Sequence, residues 1–408
     1  MVLTEHMPAR SGAVVALWFR AGAAYDPPTA HGLSHLLEHM LFKGTEQRSA
    51  LQLAVLLDAI GADLNATTDH EYAAFDCYSL GEAVAVGVDV LCDQCLRSTL
   101  AAEDLEIERQ VVLEELAAYE DTPEEVVGDA AAAALWAGHP LSHTVLGVRE
   151  EVQAVDRDAL LAYWRARYSP GGLVASAAGA VEHQTVVAAL EEHLGDAGAP
   201  GDPAGAPGDP AGVPAAVPQR ATVALERDTA QVHLCLASPA AGAGDPARFA
   251  DAVLATALGG CPSSRLFQEV RERRGLAYHI ESFTSTYRET GALYIQAGAQ
   301  AAAVPAVLAL IRGELAAVCR DGLTEEELER SREQLVARIR LDGDSPGAAV
   351  RRLGLSWLLR GELIEPETVV GHLRRVTGQD VVERARNSLA DGPWVVVALG
   401  PVEEGALH

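Results

Sequence analysis

The stretch GAPGDPAGAPGDPAGVPAAVP, residues 198–218, divides the chain. It contains GAPGDPA twice and consists only of Gly, Ala, Pro, Asp and Val. Proline fixes φ and removes a backbone donor, and glycine widens backbone freedom, so neither a helix nor a strand propagates through such a segment. We therefore predict a linker over 198–218 between an N-terminal domain, residues 1–197, and a C-terminal domain, residues 219–408.

The two halves on either side of the linker repeat one order of patterns. Each half has a β-like run, a second β-like run, a long helical stretch and a closing apolar strand. These patterns cover 13–22, 72–80, 101–120 and 172–179 in the first half, and 230–239, 291–298, 324–343 and 393–400 in the second. The repetition predicts an α+β fold of two homologous α/β-sandwich domains, each a mixed or antiparallel sheet with helices packed on it.

Composition and charge exclude several classes of partner. Lys and Arg number 31 against 58 Asp and Glu, a formal charge of −27 that repels nucleic-acid phosphates and anionic lipid surfaces. We predict no nucleic-acid partner and no membrane partner, since no uninterrupted apolar stretch approaches the roughly 18–20 residues of a membrane span.

The N-terminus lacks the basic start and apolar run of a secretory signal, and the six scattered cysteines are typical of reduced thiols. Both features predict a cytoplasmic protein.

The sharpest chemical motif is His35-x-x-Glu38-His39, within HGLSHLLEHMLFKGT, residues 31–45. On a helix the two histidines lie on one face, one turn apart, so both imidazoles can reach one metal ion. The neighbouring residues are apolar, and polar side chains among them need a partner, which a metal supplies. H-x-x-E-H is the signature of one class of zinc peptidase. The plain alternative is an amphipathic helix with solvated histidines.

A catalytic zinc site needs a third protein ligand, and the predicted helix at 101–120 offers candidates. Glu108 and Glu115 are seven residues apart and therefore share one face of that helix across two turns. Residue spacing by itself leaves both carboxylates available.

With these motifs, nearly the whole chain resembles the pitrilysin/insulysin and mitochondrial processing peptidase family of zinc metallopeptidases, in particular its short bacterial members. The resemblance implies one Zn²⁺ per chain, held by His35, His39 and Glu115, because the family carries its third ligand in a segment like E-R-x-V-V-x-E-E at this distance from the second histidine. It implies that Glu38 acts as general base and then general acid. It gives Glu108 a catalytic role in supporting the ligands or handling protons.

The resemblance extends to the substrate strand. GADLNATTDHEYAAF, residues 61–75, resembles the edge strand on which family members lay an extended peptide, with the substrate-binding Asn65 and Ala66 at the start of the strand. A peptide added to a sheet edge must be unfolded. The family often has Asn where His31 stands. His31 is then either a spare imidazole near the site or, as we expect, a residue with a capping or surface role.

The second half resembles the family in SSRLFQEVRERRGLAYHIES, residues 263–282. The family has a substrate-binding Arg and Tyr seven residues apart in this segment, as are Arg271 and Tyr278. The resemblance implies that Tyr278, with Arg271 nearby, contacts the substrate and stabilises the oxygen that becomes negatively charged during catalysis.

These implications together predict a zinc-dependent endopeptidase that hydrolyses unfolded peptides or short polypeptides inside a closed chamber. The two domains of this chain are expected to face each other in a clam-shell arrangement. Large family members close four domains into a chamber, whereas this chain has two, so we expect a homodimer, or a paralogous heterodimer partner, to complete the chamber. The alternatives are the catalytic subunit of a heterodimeric processing peptidase, a non-peptidase structural subunit like the core subunits of the bc1 complex, and a metal-dependent hydrolase of a non-peptide substrate.

Overall fold

The structure is a computed structural model that describes residues 1–195, 213 and 215–407, so most of the predicted linker lies outside the described residues. The strands are β1 (Val2–His6), β2 (Gly12–Phe19), β3 (Asp63–Thr68), β4 (Ala73–Leu80), β5 (Val174–Gly179), β6 (Ala221–Glu226), β7 (Val232–Ala240), β8 (Ala277–Thr286), β9 (Gly291–Ala299) and β10 (Val395–Gly400). The helices are α1 (Leu33–Leu41), α2 (Ala50–Ile60), α3 (Val84–Arg97), α4 (Ala102–Glu120), α5 (Pro123–Leu135), α6 (Arg149–Ala154), α7 (Arg157–Arg167), α8 (His183–Leu194), α9 (Arg248–Gly259), α10 (Val304–Asp321), α11 (Glu325–Asp342), α12 (Pro346–Arg360), α13 (Pro366–Arg375) and α14 (Gly378–Leu389).

The strands form two five-stranded sheets of one topology. The first sheet has the order β1-β5-β2-β4-β3 and the second β6-β10-β7-β9-β8. In both sheets the first pair of this order is parallel and the other three pairs are antiparallel. The predicted α+β class with two homologous mixed-sheet domains is confirmed. β3 and β8 lie at equivalent edges of the two sheets.

The inner strands of the first sheet are buried on both faces because helices cover both. All eight residues of β2 and all six of β5 are buried. Alternate residues point to opposite faces, so Val15 and Leu17 join the core under α1 and α3, whereas Ala16 and Trp18 pack against α12. Such strands read in the sequence as continuous apolar runs.

The chain folds into two compact units that each contain a helix from the other half of the sequence. The first unit comprises the described residues of Met1–Ala117, His143–Pro214 and Leu341–Leu363, and the remaining described residues form the second. α12 therefore belongs to the first unit, where it packs on β5 and β2, and α5 belongs to the second, where it packs on β7 and β10. The bounds of these two units therefore differ from those of the predicted domains, residues 1–197 and 219–408, because one helix on each side of the linker packs in the other unit.

One described helix is long and apolar enough to cross a membrane by length and composition. It is Ala301–Asp321, which contains α10 and has a mean hydropathy of 1.8. Arg312 and Glu314 interrupt its apolar residues. Its buried side chains belong to the core of the second unit and are Val304, Val307, Leu308, Ile311, Leu315 and Val318. This segment is thus a core helix of that unit.

Candidate metal centre

The H-x-x-E-H motif lies on α1, whose apolar face packs on the first sheet. Leu36, Leu37 and Met40 are fully buried in that core. The helix begins after Gly32, which has φ +91° and whose absent Cβ would lie 2.6 Å from the carbonyl oxygen of Leu146. The Asp26 carboxylate accepts hydrogen bonds from the backbone N–H groups of Gly32, at 2.8 Å, and Ser34, at 3.0 Å. These contacts fix the start of the helix and with it the direction of the motif.

Three side chains from α1 and α4 converge at one point. Oε2 of Glu115 is 3.7 Å from Nε2 of His35 and 3.4 Å from Nε2 of His39. The three ligand atoms lie within 4.8 Å of one another, and no other group of three potential metal ligands with this spacing occurs among the described residues. Glu114, the neighbour of Glu115, is exposed and outside the cluster.

The chemistry of this donor set fits zinc. Two imidazole nitrogens and one carboxylate oxygen are ligands of catalytic zinc sites, which keep a further position open. Burial, helped by the nearby His39, lowers the pKa of His35 to about 4. The His35 imidazole is therefore neutral at pH 7, the form that binds a metal.

Glu108 contacts the far side of His39 and does not join the ligand cluster. Its Oε2 lies 3.2 Å from Nδ1 of His39 and its Oε1 lies 2.5 Å from Nζ of Lys43. Only 4% of Glu108 is exposed, so the buried carboxylate has a cation to balance it. A carboxylate that accepts the Nδ1 proton of a histidine orients Nε2 towards a metal. Of the two glutamates that residue spacing left open, the geometry groups Glu115 with the two histidines.

Glu38 lies beside the cluster and is held in place by Thr68. Its Oε2 accepts a 2.5 Å hydrogen bond from Oγ1 of Thr68, the last residue of β3. Burial raises the pKa of Glu38, and the Thr68 hydrogen bond and the nearby His39 offset this only in part. A carboxylate with a raised pKa is suited to take up a proton and return it.

Sequence reasoning missed two of these contacts, those of Lys43 and Thr68. Both residues stand in stretches that the sequence singled out, 31–45 and 61–75. Lys43 follows His39 by four residues, a spacing that places the two side chains on one side of a continuing helix. The contact of Thr68 depends on how β3 lies against α1, which no local pattern indicates.

β3 is an edge strand, as its resemblance to the family's substrate strand implies. Among the described elements it pairs only with β4. Asn65 and Ala66 lie in the middle of β3, whereas we expected them at its start, because β3 already begins at Asp63. Asn65 is exposed and Ala66 is half-buried against the core below α1.

His31 has neither the capping nor the surface role expected for it. It is buried, its Nδ1 is 2.7 Å from Oε2 of Glu151, and its ring stacks on His143 with centroids 3.6 Å apart. That expectation is wrong, because a loop and α6 from later in the chain pack over the residue.

Arg271 and Tyr278 contact each other in the second unit. Arg271 lies on a short π-helix, Phe267–Glu272, and its guanidinium is 4.6 Å from the ring centroid of Phe267 and 5.2 Å from that of Tyr278. Tyr278 is on the edge strand β8 and is 78% exposed. A guanidinium over two aromatic faces is held by cation–π attraction. The catalytic and substrate-binding roles of this pair stay predictions.

Comparison with known proteins places this geometry in context. Residues 1–149 match the family described as insulinase, peptidase family M16, and residues 154–335 match the peptidase M16 inactive domain. A protein named uncharacterized zinc protease from Streptomyces coelicolor is 37% identical over 99% of this chain and 88% of its own length. Another of that name, from Bacillus subtilis, is 33% identical over 94% of this chain and 92% of its own.

Solved structures share the fold at lower identity. A peptidase M16 inactive domain from Pseudomonas fluorescens superposes with a TM-score of 0.87 at 22% identity, covering 98% of this chain and 95% of that one. A chain of complex III2 from Candida albicans has a TM-score of 0.82 at 18% identity, covering 98% and 93%. The fold thus occurs in a chain of complex III2 as well as in a peptidase family, so the function must be argued from the site.

Proposed function

The chain belongs to the insulinase family of peptidases, family M16, and from this we propose that it is a zinc-dependent endopeptidase acting on unfolded peptides or short polypeptides. The single observation that supports this most is the convergence of His35, His39 and Glu115 beside Glu38. A structural subunit of this fold has no need of that arrangement.

The residues divide the chemistry among them. His35, His39 and Glu115 would hold one zinc ion per chain, which when bound polarises a peptide carbonyl and makes water more acidic. Glu38 takes the proton of the attacking water and passes it to the leaving amine. Thr68 keeps the Glu38 carboxylate in place through its hydrogen bond, and Glu108 orients His39.

The free edge of β3 supports the choice of an unfolded peptide as substrate. An extended chain laid along this edge forms backbone hydrogen bonds with a strand whose last residue, Thr68, contacts the general base. This places a peptide bond near Glu38 without recognition of a particular sequence. A folded protein offers no such free strand.

The first experiment measures zinc content and then cleavage of a mixture of unstructured peptides. We expect about one zinc ion per chain and cleavage that stops on chelation. The Glu38→Gln variant should keep its zinc and its fold but lose activity by about 10²–10⁴-fold, since the amide is nearly isosteric and accepts no proton.

Three results would each contradict part of this proposal. Substantial turnover by zinc-loaded Glu38→Gln would exclude Glu38 as the base. A protein that binds zinc and cleaves no peptide would favour a hydrolase of another substrate class. A protein that binds no zinc would favour a structural subunit.

The assembly and location are part of the proposal. We propose a homodimer, because a chain of two domains would need a second copy to complete a chamber of four domains. We propose a cytoplasmic location, because the six scattered cysteines are typical of reduced thiols. Analytical ultracentrifugation of the purified chain tests the dimer directly.

A further inference from the structure

The short helix α6 contacts both of the helices that carry the metal ligands, although it carries no ligand itself. α1 carries His35 and His39, and α4 carries Glu115. All three helices belong to the first unit. The contacts of α6 therefore bear on where the ligands of α1 lie relative to the ligand of α4.

Arg109 of α4 holds the C-terminal end of α6. Only 7% of Arg109 is exposed, and its guanidinium donates hydrogen bonds to three backbone carbonyl oxygens at that end. Nη1 donates to Val152 at 2.6 Å and to Gln153 at 2.9 Å, and Nη2 donates to Val155 at 2.8 Å. The last carbonyls of a helix have no partner within the helix, and a cation at that end is favourable. One planar guanidinium thus fixes α6 to α4.

Glu151 of α6 holds the residue that leads into α1. Its Oε2 accepts hydrogen bonds from the backbone N–H and from Nδ1 of His31, both at 2.7 Å. Burial acts to raise the pKa of Glu151, but the hydrogen bonds from His31 outweigh it and hold this pKa below its usual value of 4.5, so the carboxylate is ionised at pH 7. The start of α1 also packs closely on α6, since a Cβ on Gly32 would lie 2.8 Å from Cγ2 of Val152.

α1 is thereby connected to α4 at both of its ends. Near the C-terminal end of α1, Glu108 of α4 contacts Nδ1 of His39 directly. At the N-terminal end the connection runs through α6, from Arg109 to Glu151. His35 lies in the first turn of α1, and its Nδ1 is buried without a hydrogen-bond partner among the described residues. The position of His35 therefore depends on where this first turn is held.

We propose that Arg109 and Glu151 are positioning residues of the metal centre, which through α6 set the distance between the imidazole of His35 and the carboxylate of Glu115. This distance is 3.7 Å between Nε2 and Oε2. Loss of either positioning residue misplaces His35, whereas His39 keeps the orientation that its hydrogen bond to α4 gives it. The inference deepens the proposed function, and it rests on the metal site of that proposal but not on peptide hydrolysis.

The test measures zinc affinity by competition with a chelator, and coordination geometry by the visible absorption of the Co²⁺-substituted protein. Glu151→Ala removes both hydrogen bonds to His31, so it should weaken zinc binding by about tenfold and alter the Co²⁺ spectrum. Glu151→Gln should bind zinc with an intermediate affinity, because its amide oxygen still accepts a hydrogen bond from the backbone N–H of His31. Arg109→Lys should also weaken zinc binding, because an ammonium does not reproduce the planar fork of a guanidinium. The matched control Glu150→Ala, at an exposed position of α6, should bind both metals like the wild type.

Two further comparisons locate the effect at His35. In a His35→Ala protein, whose zinc affinity is already reduced, Glu151→Ala should cause no further loss, whereas in a His39→Ala protein it should keep its effect of about tenfold. Gly354→Ala is the control for a loss of stability alone. A Cβ on Gly354 would lie 2.2 Å from the Trp18 ring, on the face of the first sheet opposite α1, so this variant should unfold more easily and yet bind zinc like the wild type.

Failure of this inference and failure of the proposed function give different results. The positioning role is overturned if Glu151→Ala keeps the wild-type zinc affinity and Co²⁺ spectrum, if it causes an equal loss in the His35→Ala protein, or if Gly354→Ala weakens zinc binding as much. If Glu151→Ala does not fold, Glu151→Gln and Arg109→Lys decide by the same measurements. Because neither measurement involves peptide cleavage, a zinc-binding protein without peptidase activity overturns the proposed function and leaves these expected results unchanged. A wild-type chain that binds no zinc overturns both.

Discussion

At the residue scale, the two histidines of the metal cluster have different surroundings. Nδ1 of His39 is held by the buried Glu108, whereas Nδ1 of His35 is buried with no hydrogen-bond partner among the described residues. The orientation of His35 therefore depends on the packing of α1, and that of His39 on a hydrogen bond to another helix. A substitution of Glu108 can therefore remove the hydrogen bond that orients His39 without disturbing the packing that orients His35.

We predict that Glu108→Gln lowers zinc affinity by about 10–100-fold, because the neutral amide holds the His39 imidazole less strongly and leaves Lys43 without its counterion. Competition with a chelator measures the affinity. Glu114→Gln on the same helix is the control and should bind zinc like the wild type, since Glu114 is exposed. Unchanged affinity of Glu108→Gln would mean that the hydrogen bond has no part in metal binding.

At the scale of elements, α12 reaches the first sheet through one close contact. A Cβ on Gly354 would lie 2.2 Å from the Trp18 ring, so only glycine lets the helix approach this closely. Nε1 of Trp18 donates a 2.7 Å hydrogen bond to Oγ of Ser176, which donates in turn to the carbonyl of Val350 at 3.0 Å. The helix is thereby fixed in position along the sheet.

We predict that Gly354→Ala lowers the free energy of unfolding by about 1–3 kcal/mol, the usual cost of overpacking a core. Thermal or urea unfolding followed by circular dichroism measures the change. The control is Gly347→Ala in the first turn of α12, where the nearest atom to the new Cβ is 3.9 Å away. This control should match or exceed the wild type in stability. Equal stability of the two variants would contradict the close contact.

The start of α11 provides a pH-dependent contribution to stability. Glu327 accepts hydrogen bonds from Arg265, at 2.7 Å to each oxygen, and from the backbone N–H of Thr324, at 2.8 Å. Burial acts to raise the pKa of Glu327, but these hydrogen bonds and the Arg265 charge outweigh it and lower the pKa from 4.5 to about 2. The unfolded chain therefore binds more protons between these values, and the stabilisation is present above pH 4.5 and lost as the pH falls towards 2.

We predict that Glu327→Gln destabilises the protein by about 1–2 kcal/mol at pH 7, a figure that allows for screening by solvent. The difference from the wild type should narrow as the pH falls from 5 to 3. Urea unfolding at a series of pH values measures it. Glu329→Gln, whose side chain is 59% exposed, should change stability by less than about 0.5 kcal/mol at any of these pH values. A pH-independent effect of Glu327→Gln would contradict the assignment.

At the scale of the whole molecule, α5 and α12 each pack in the unit that consists mainly of the other half of the sequence. Each half of the sequence by itself therefore lacks one helix that covers its sheet. Without α12, the face of the first sheet that carries Val14, Ala16 and Trp18 loses its apolar cover. An exposed apolar face of this kind leads to aggregation.

We therefore predict that residues 1–195 expressed alone are insoluble or bind the dye ANS strongly, and that co-expression with residues 215–408 gives a soluble complex. A chain cut within 198–212 after folding, through a protease site inserted there, is the control and should keep its circular dichroism spectrum. Independent folding of residues 1–195 would show that α12 is dispensable to the first sheet.

The sequence by itself determined the features that depend on local order and spacing. Continuous apolar runs marked β2, β5 and β10, and the duplication followed from one pattern order repeated in both halves. The spacing of His35, Glu38 and His39 on one helix already indicated a metal site, because helical geometry fixes which residues share a face.

Only the tertiary structure decided the features that bring distant segments together. It grouped Glu115 with the histidines and placed Glu108 behind His39, two outcomes that one helical spacing could not distinguish. It buried His31, and it assigned α5 and α12 to the opposite units. The physical reason is common to these cases: each depends on packing between segments far apart in the chain, and local periodicity contains no information on which surfaces meet.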